Sequence, residues 1–372
     1  MKKILLVFLL IFPWLLWAQT DGETKKILMV VSSYGKDQGQ TRPGFEFDEF
    51  SQAYLIFQSN QLQVAVASPR GGKVEADKFN ADKPYNKMAL ADPQVMALLE
   101  QTKPTASIDA SAYDAIYIVG GKGAMFDLPY DPSLQDIVLE LYKKEGGVIS
   151  SVCHGPAALV NVKDGDEYIV KDVEITSFCN DEEALFGKKW VKEFPFQLED
   201  QLTARGAVFQ QTEFMLSKVA VTDKFVTGQN PFSTPRSAEA VVRALGMEPV
   251  SRVPYPDEQS VYLIQEILDG QTSTAAASSQ LSENTQAYDI PLIAAYGYYT
   301  ILHAKEDRTG LMTGIGLVEL TADHFYNENL QFVLAKTYLS MDEKAKAKAI
   351  LEELKTKGLL PEQVTALLKE IG

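Results

Sequence analysis

The feature that most constrains the fold is a steady alternation of two kinds of segment, beginning near residue 26. Short apolar runs rich in β-branched residues, "KKILMVVSS", "LQVAVAS", "YDAIYIVGG" and "GVISSVC", read as buried strands. Helical patterns separate them. "GFEFDEFSQAYLIFQSN" places Phe47, Phe50, Tyr54 and Phe57 at helical spacing, "PQVMALLEQ" reads as a helix, and "PSLQDIVLELYKKEG" is a helix closed by glycine. "HGPAALVNV" is predicted to begin another. "VEITSF", "GAVFQQ" and "KFVTGQ" are further strand candidates, and "SAEAVVRALGM" closes the domain as a helix. Strands and helices joined by short links predict an α/β domain with a mostly parallel sheet covered on both faces.

The flanking segments differ in kind. Lys2 and Lys3, then the apolar run from Ile4 to Trp17 and Ala18, have the layout of a secretory signal peptide over residues 1–18. An exported, soluble protein, periplasmic or extracellular, is the expectation. Residues 69–88 are polar and rich in Gly and Pro, so a long loop or small subdomain is expected there. The α/β domain is assigned to residues 25–250. Residues 270–286, "GQTSTAAASSQLSENTQ", are small and polar and read as a linker. The chain from 287 to 372 reads as a helical C-terminal domain, in which Leu334, Ala335, Tyr338, Ala347 and Leu351 resemble one tetratricopeptide repeat. An ordinary amphipathic hairpin fits that pattern as well.

A formal net charge of -15, with no compensating basic cluster, disfavours nucleic acid and anionic membranes as partners. No group of His, Cys and Asp has metal-ligand spacing, so neither a metal nor another cofactor is expected.

The chemistry centres on "GGVISSVCHGPAALV", residues 146–160, which holds one of two cysteines and one of three histidines. Cys153 stands where a strand ends and a helix is predicted to begin, a place where ligands bind in open α/β sheets. A thiol on such a turn is a nucleophile candidate. A buried structural cysteine, or one half of a Cys153–Cys179 disulfide in an oxidising compartment, fits the residue alone equally well. Three companions add chemistry. The pair Gly120-Gly121 ends a strand, where backbone N–H groups can face an oxyanion. Glu49 lies in an aromatic helical segment that would raise its pKa, whereas Glu46 and Asp48 read as solvated helix charges. In "ITSFCNDEEALFG", Glu182 or Glu183 would orient the His154 imidazole.

Six ordered motifs, "GFEFDEFSQAY", "IYIVGGKGAMFDLP", "VCHGPAAL", "ITSFCNDEEALFG", "FPFQLEDQLTARGA" and "VTGQNPFS", resemble the ThiJ/PfpI superfamily of the class I glutamine-amidotransferase-like fold. They are most similar to its branch of heat-shock chaperones and glutathione-independent glyoxalases, over roughly residues 26–246. The resemblance implies a flavodoxin-like three-layer sandwich. It implies Cys153 as nucleophile, His154 as its partner, Glu183 as the group orienting the histidine and Glu49 as the acid near the thiol. Gly121 and the His154 backbone would form an oxyanion hole. It also implies a small aldehyde such as methylglyoxal as substrate, with conversion to lactate. Two positions depart from the pattern. Lys122 stands where relatives often carry His, and Cys179 stands where Ser or Thr is expected; both are candidate substrate or redox contacts.

A holdase chaperone and a cysteine peptidase or amidase of the same superfamily are the competing readings. A homodimer, and a protein partner docked on the C-terminal helices, are the assemblies to test. A glutamine amidotransferase would need a late His-x-Glu, but His303 and His324 are followed by Ala-Lys and Phe-Tyr. These two read as packing or surface residues.

Overall fold

The computed structural model describes residues 24–187 and 189–371; the signal-peptide reading of residues 1–18 lies outside them. The first part alternates as expected: β1 (Lys26–Val30), α1 (Phe47–Ser59), β2 (Gln63–Ser68), α2 (Pro84–Ala91), α3 (Pro93–Glu100), β3 (Lys103–Pro104), β4 (Ala115–Ile118), α4 (Ala124–Asp127), α5 (Pro132–Lys143) and β5 (Val148–Val152). Two small ladders follow, β6 (Lys163–Asp164) with β7 (Glu167–Tyr168), and β8 (Glu174–Ile175) with β9 (Val208–Phe209). Between β8 and β9 lie α6 (Asn180–Phe186) and α7 (Leu198–Ala204). The domain closes with β10 (Val219–Thr222), β11 (Phe225–Gly228) and α8 (Thr234–Ala244).

The main sheet runs β10-β11-β5-β4-β1-β2-β3, parallel except for the β10–β11 hairpin at one edge. Its strands are hydrophobic on both faces because both are covered. Ile27, Met29, Tyr117 and Val119 enter the core shared with α1 and α8, while Leu28, Val30, Ile116 and Ile118 enter the core shared with α5. The chain winds from β1 outward to β3, then crosses to β4 on the other side of β1. That reversal makes the carboxyl ends of β1, β4 and β5 the natural ligand crevice.

Three expectations need correction. Residues 270–286 are not a linker: they contain α10 (Thr274–Glu283), capped by the Ser273 hydroxyl, with Ala277 and Leu281 fully buried. The helix predicted after Cys153 is a single 3-10 turn, Gly155–Leu159, packed on all sides. The turn is wedged between β4 and α4. The segment 69–88 is a loop only in its first part. α2 begins at Pro84, and Tyr85 and Asn86 are buried. "VEITSF" and "GAVFQQ" do pair, but as the short β8–β9 ladder outside the main sheet.

The remainder is helical: α9 (Pro256–Leu268), α10, α11 (Ile290–Ala304), α12 (Arg308–Leu320), α13 (Glu328–Ser340), α14 (Lys344–Thr356) and α15 (Pro361–Ile371). α11 and α12 touch backbone to backbone. A Cβ on Gly297 would sit 2.8 Å from Gly314 O, and one on Gly314 would sit 2.7 Å from Gly297 O, so neither position admits a side chain. In α13 and α14, Leu334, Ala335, Tyr338, Ala347 and Leu351 are all buried. α9 is tied to the first part by an ionic network. Asp257 accepts from Tyr85 Oη (2.5 Å) and Lys83 Nζ (3.3 Å), and Lys83 also reaches Asp48 (2.6 Å).

Candidate active site

β5 delivers Cys153 to the crevice in a left-handed backbone conformation, φ 58°. Non-glycine residues avoid this region because Cβ crowds the following carbonyl, so something must hold it. Its N–H donates to Gly228 O and its carbonyl accepts from Phe178 N–H, both at 2.9 Å. The thiol therefore projects from a sharp, fixed strand-to-turn elbow. It is 3% exposed.

Cys153 Sγ lies 3.3 Å from His154 Nδ1, and His154 Nε2 lies 2.6 Å from Glu183 Oε1. Glu183 comes from the first turn of α6 and is buried. Each imidazole nitrogen thus has one partner, which fixes the ring between thiol and carboxylate. Phe178 and Phe194 pack against the ring, with centroids 4.7 and 5.8 Å away.

Glu49, from α1, is fully buried. Its Oε2 accepts the Gly120 N–H at 2.7 Å, and its Oε1 has no hydrogen-bond partner among the described residues. Burial first, and the neighbouring Glu46 second, hold the carboxyl well above the usual carboxylate range. Burial likewise raises the Cys153 thiol, with the charge of Glu49 adding to it. The two effects are linked: once Glu49 holds a proton, its repulsion of a thiolate disappears and it becomes a donor.

Gly121 has φ 88°, and a Cβ there would lie 2.4 Å from Glu46 N, so only glycine fits. Among the described residues, neither the Gly121 nor the His154 N–H has a hydrogen-bond partner, and both residues line the cavity in front of Cys153. Two free N–H groups beside a thiol are the elements of an oxyanion site. Lys122 also lines this cavity, and its ammonium favours the thiolate of Cys153. Cys153 and Cys179 are both free thiols. Cys179 Sγ meets Glu182 Oε2 (3.5 Å) and Gln229 Nε2 (3.9 Å), and burial, then Glu182, push it up to about 12.

The cavity measures about 240 Å³. Its apolar lining is Phe178, Phe186, Met215, Pro231 and Phe232.

The sequence pattern of the DJ-1/PfpI family matches residues 40–244. The chain belongs to the DJ-1/PfpI family. Within it, the chain is 30% identical over 244 residues to a glutathione-independent glyoxalase of Schizosaccharomyces pombe, covering 59% of this chain and 95% of that one. It is 28% identical over 233 residues to glyoxalase 3 of Candida albicans, covering 59% and 98%. Two solved structures share the fold. Rapid Encystment Protein 24 KDa of Francisella tularensis superposes with a TM-score of 0.56 at 32% identity, covering 60% of this chain and 99% of that one. Glyoxalase III of Candida albicans gives 0.55 at 26%, covering 59% and 97%.

In this DJ-1/PfpI chain Glu183, and not the alternative Glu182, holds His154. Glu182 is buried, accepting from Asn230 Nδ2 (2.8 Å), Met215 N (3.0 Å) and Gln229 Nε2 (3.1 Å), and burial pushes it up to about 7. Adjacent glutamates on α6 diverge by one helical step, so Glu183 reaches His154 while Glu182 turns to Asn230. Asn230 lies in "VTGQNPFS", a motif with no residue chosen from it. Glu46 and Asp48 are not free solvated charges. Glu46 lines the cavity and is pushed up to about 7, by desolvation first and Asp48 second. Asp48 pairs with Lys83. His303 and His324 are exposed on the C-terminal helical part.

Proposed function

We propose that this protein is a cysteine-dependent, glutathione-independent glyoxalase that converts small 2-oxoaldehydes such as methylglyoxal to 2-hydroxy acids. The observation that carries the reading is the Cys153 elbow with His154, Glu183 and the buried Glu49 around it. The names of the relatives supply the substrate class.

In the first step His154 takes the thiol proton across the 3.3 Å contact. Sγ attacks the aldehyde carbon, and the carbonyl π pair moves to oxygen, where the Gly121 and His154 N–H groups face it. Glu49 gives its proton to that oxygen, leaving a hemithioacetal, a Glu49 carboxylate and a His154 imidazolium stabilised by Glu183. Glu49 then takes the C1 proton while His154 protonates the C2 oxygen, giving an enediol. Glu49 next returns a proton to C2 as His154 removes the proton of the C1 hydroxyl, giving a thioester. Water finally attacks C1, losing its proton to Glu49, and Sγ leaves with the proton from His154. C1 is oxidised and C2 reduced by the same internal transfer, so water is the sole co-reactant. Each residue ends in the protonation state in which it began.

The test is lactate formation from methylglyoxal by the reduced protein with no glutathione present. Turnover without glutathione is expected; its absence contradicts the reading.

A further inference from the structure

Three of the five apolar residues lining the cavity, Phe186, Met215 and Phe232, also belong to the hydrophobic core built by α9 to α12. The family match ends at residue 244, before those helices begin. The wall of the cavity is therefore backed by a part of the chain that the family pattern does not include.

α11 supplies the backing rings. Tyr299 meets Phe186 edge-on, with centroids 4.9 Å apart and planes at 77°. Tyr296 stacks on Phe214 at 5.3 Å and 24°. Phe214 precedes Met215, which has φ 60° and donates its N–H to Glu182. α11 itself is seated tightly on α12 through Gly297 and Gly314, so its rings have little freedom to withdraw. Close packing means that Phe186 and Met215 keep their positions only while those rings occupy the space behind them.

We infer that Tyr299 and Tyr296 are specificity-determining positioning residues: by backing Phe186 and the Phe214–Met215 turn they fix the size of the cavity and limit Cys153 to small electrophiles. The identity of those electrophiles as 2-oxoaldehydes rests on the glyoxalase reading; the size limit does not. Neither tyrosine touches the reacting atoms. Removing the Tyr299 ring gives Phe186 room to retract, which widens the cavity without altering Cys153, His154 or Glu183.

The test uses the full chain and its Tyr299→Phe, Tyr299→Leu and Tyr299→Ala variants. Alkylation of Cys153 by iodoacetamide and by the bulkier N-phenylmaleimide is followed by peptide mass spectrometry, which separates Cys153 from Cys179. The bulky-to-small rate ratio is expected to rise about tenfold in Tyr299→Ala, less in Tyr299→Leu, and not at all in Tyr299→Phe, which keeps the ring. Tyr299→Leu retains apolar bulk and carries the test if the alanine variant does not fold. An unchanged ratio in folded Leu and Ala variants overturns the inference, as does an equal rise in Tyr299→Phe. In turnover, kcat/KM for phenylglyoxal relative to methylglyoxal should follow the same order. Wild-type protein that turns over neither compound, with the alkylation ratio still shifting, would sink the glyoxalase reading and leave the size limit standing.

Discussion

His154 Nε2 lies 2.6 Å from Glu183 Oε1, while the other ring nitrogen faces the Cys153 thiol at 3.3 Å. The carboxylate fixes the ring orientation and stabilises the imidazolium formed when the thiol gives up its proton. Glu183→Gln keeps the shape but not the charge. It should lower kcat for methylglyoxal about 10²-fold or more with little change in melting temperature. Steady-state kinetics beside a thermal melt checks this, and a wild-type kcat would remove Glu183 from the machinery.

Glu49 gives the proposed reaction a pH dependence. Burial first, and Glu46 second, hold its carboxyl well above the usual carboxylate range, which extends upward the pH range over which it can donate a proton. Raising the pH removes that proton, places a negative charge beside Cys153 and takes away the donor, so kcat/KM should fall on the alkaline side. Glu49→Gln should cost about 10²-fold or more in kcat. It should also make Cys153 easier to ionise, because a charge that opposes the thiolate is gone. Iodoacetamide alkylation of Cys153 would then rise at lower pH in the variant than in wild type. An unmoved alkylation profile would show that the two groups do not interact.

Lys83 bridges Asp48, on the helix that carries Glu49, and Asp257, on α9. Lys83→Ala leaves two largely buried carboxylates near each other without their cation. The expected loss is about 3 kcal/mol of unfolding free energy, within the range for breaking a buried pair from one side. Urea denaturation measures it. A loss under about 0.5 kcal/mol would place Lys83 among surface charges of no structural weight.

Much of this fold was legible because its central strands β1, β4 and β5 are short, almost wholly buried apolar runs, and such runs announce themselves. Cys153 could be placed at a strand end from "GVISSVC", but its left-handed backbone could not, since that depends on Gly228 and Phe178 gripping it from other parts of the chain. α10 was misread because Ser, Thr and Ala have the composition of a linker. Ala277 and Leu281, four residues apart, were the one sign of a buried helical face. Glu46 reads as a solvated charge in the sequence because nothing local shows its burial or the Asp77 that the fold brings beside it. The contribution of α11 to the cavity was illegible for the same reason. Phe186 and Tyr299 are more than a hundred residues apart, and nothing local ties one to the other.

In the proposed reaction Cys153, and not Cys179, carries the covalent chemistry. Lactate formation from methylglyoxal by wild type, Cys153→Ala and Cys179→Ala tests it most directly. Cys153→Ala is expected to lose about 10³-fold or more while Cys179→Ala retains turnover. Equal rates in wild type and Cys153→Ala would contradict it.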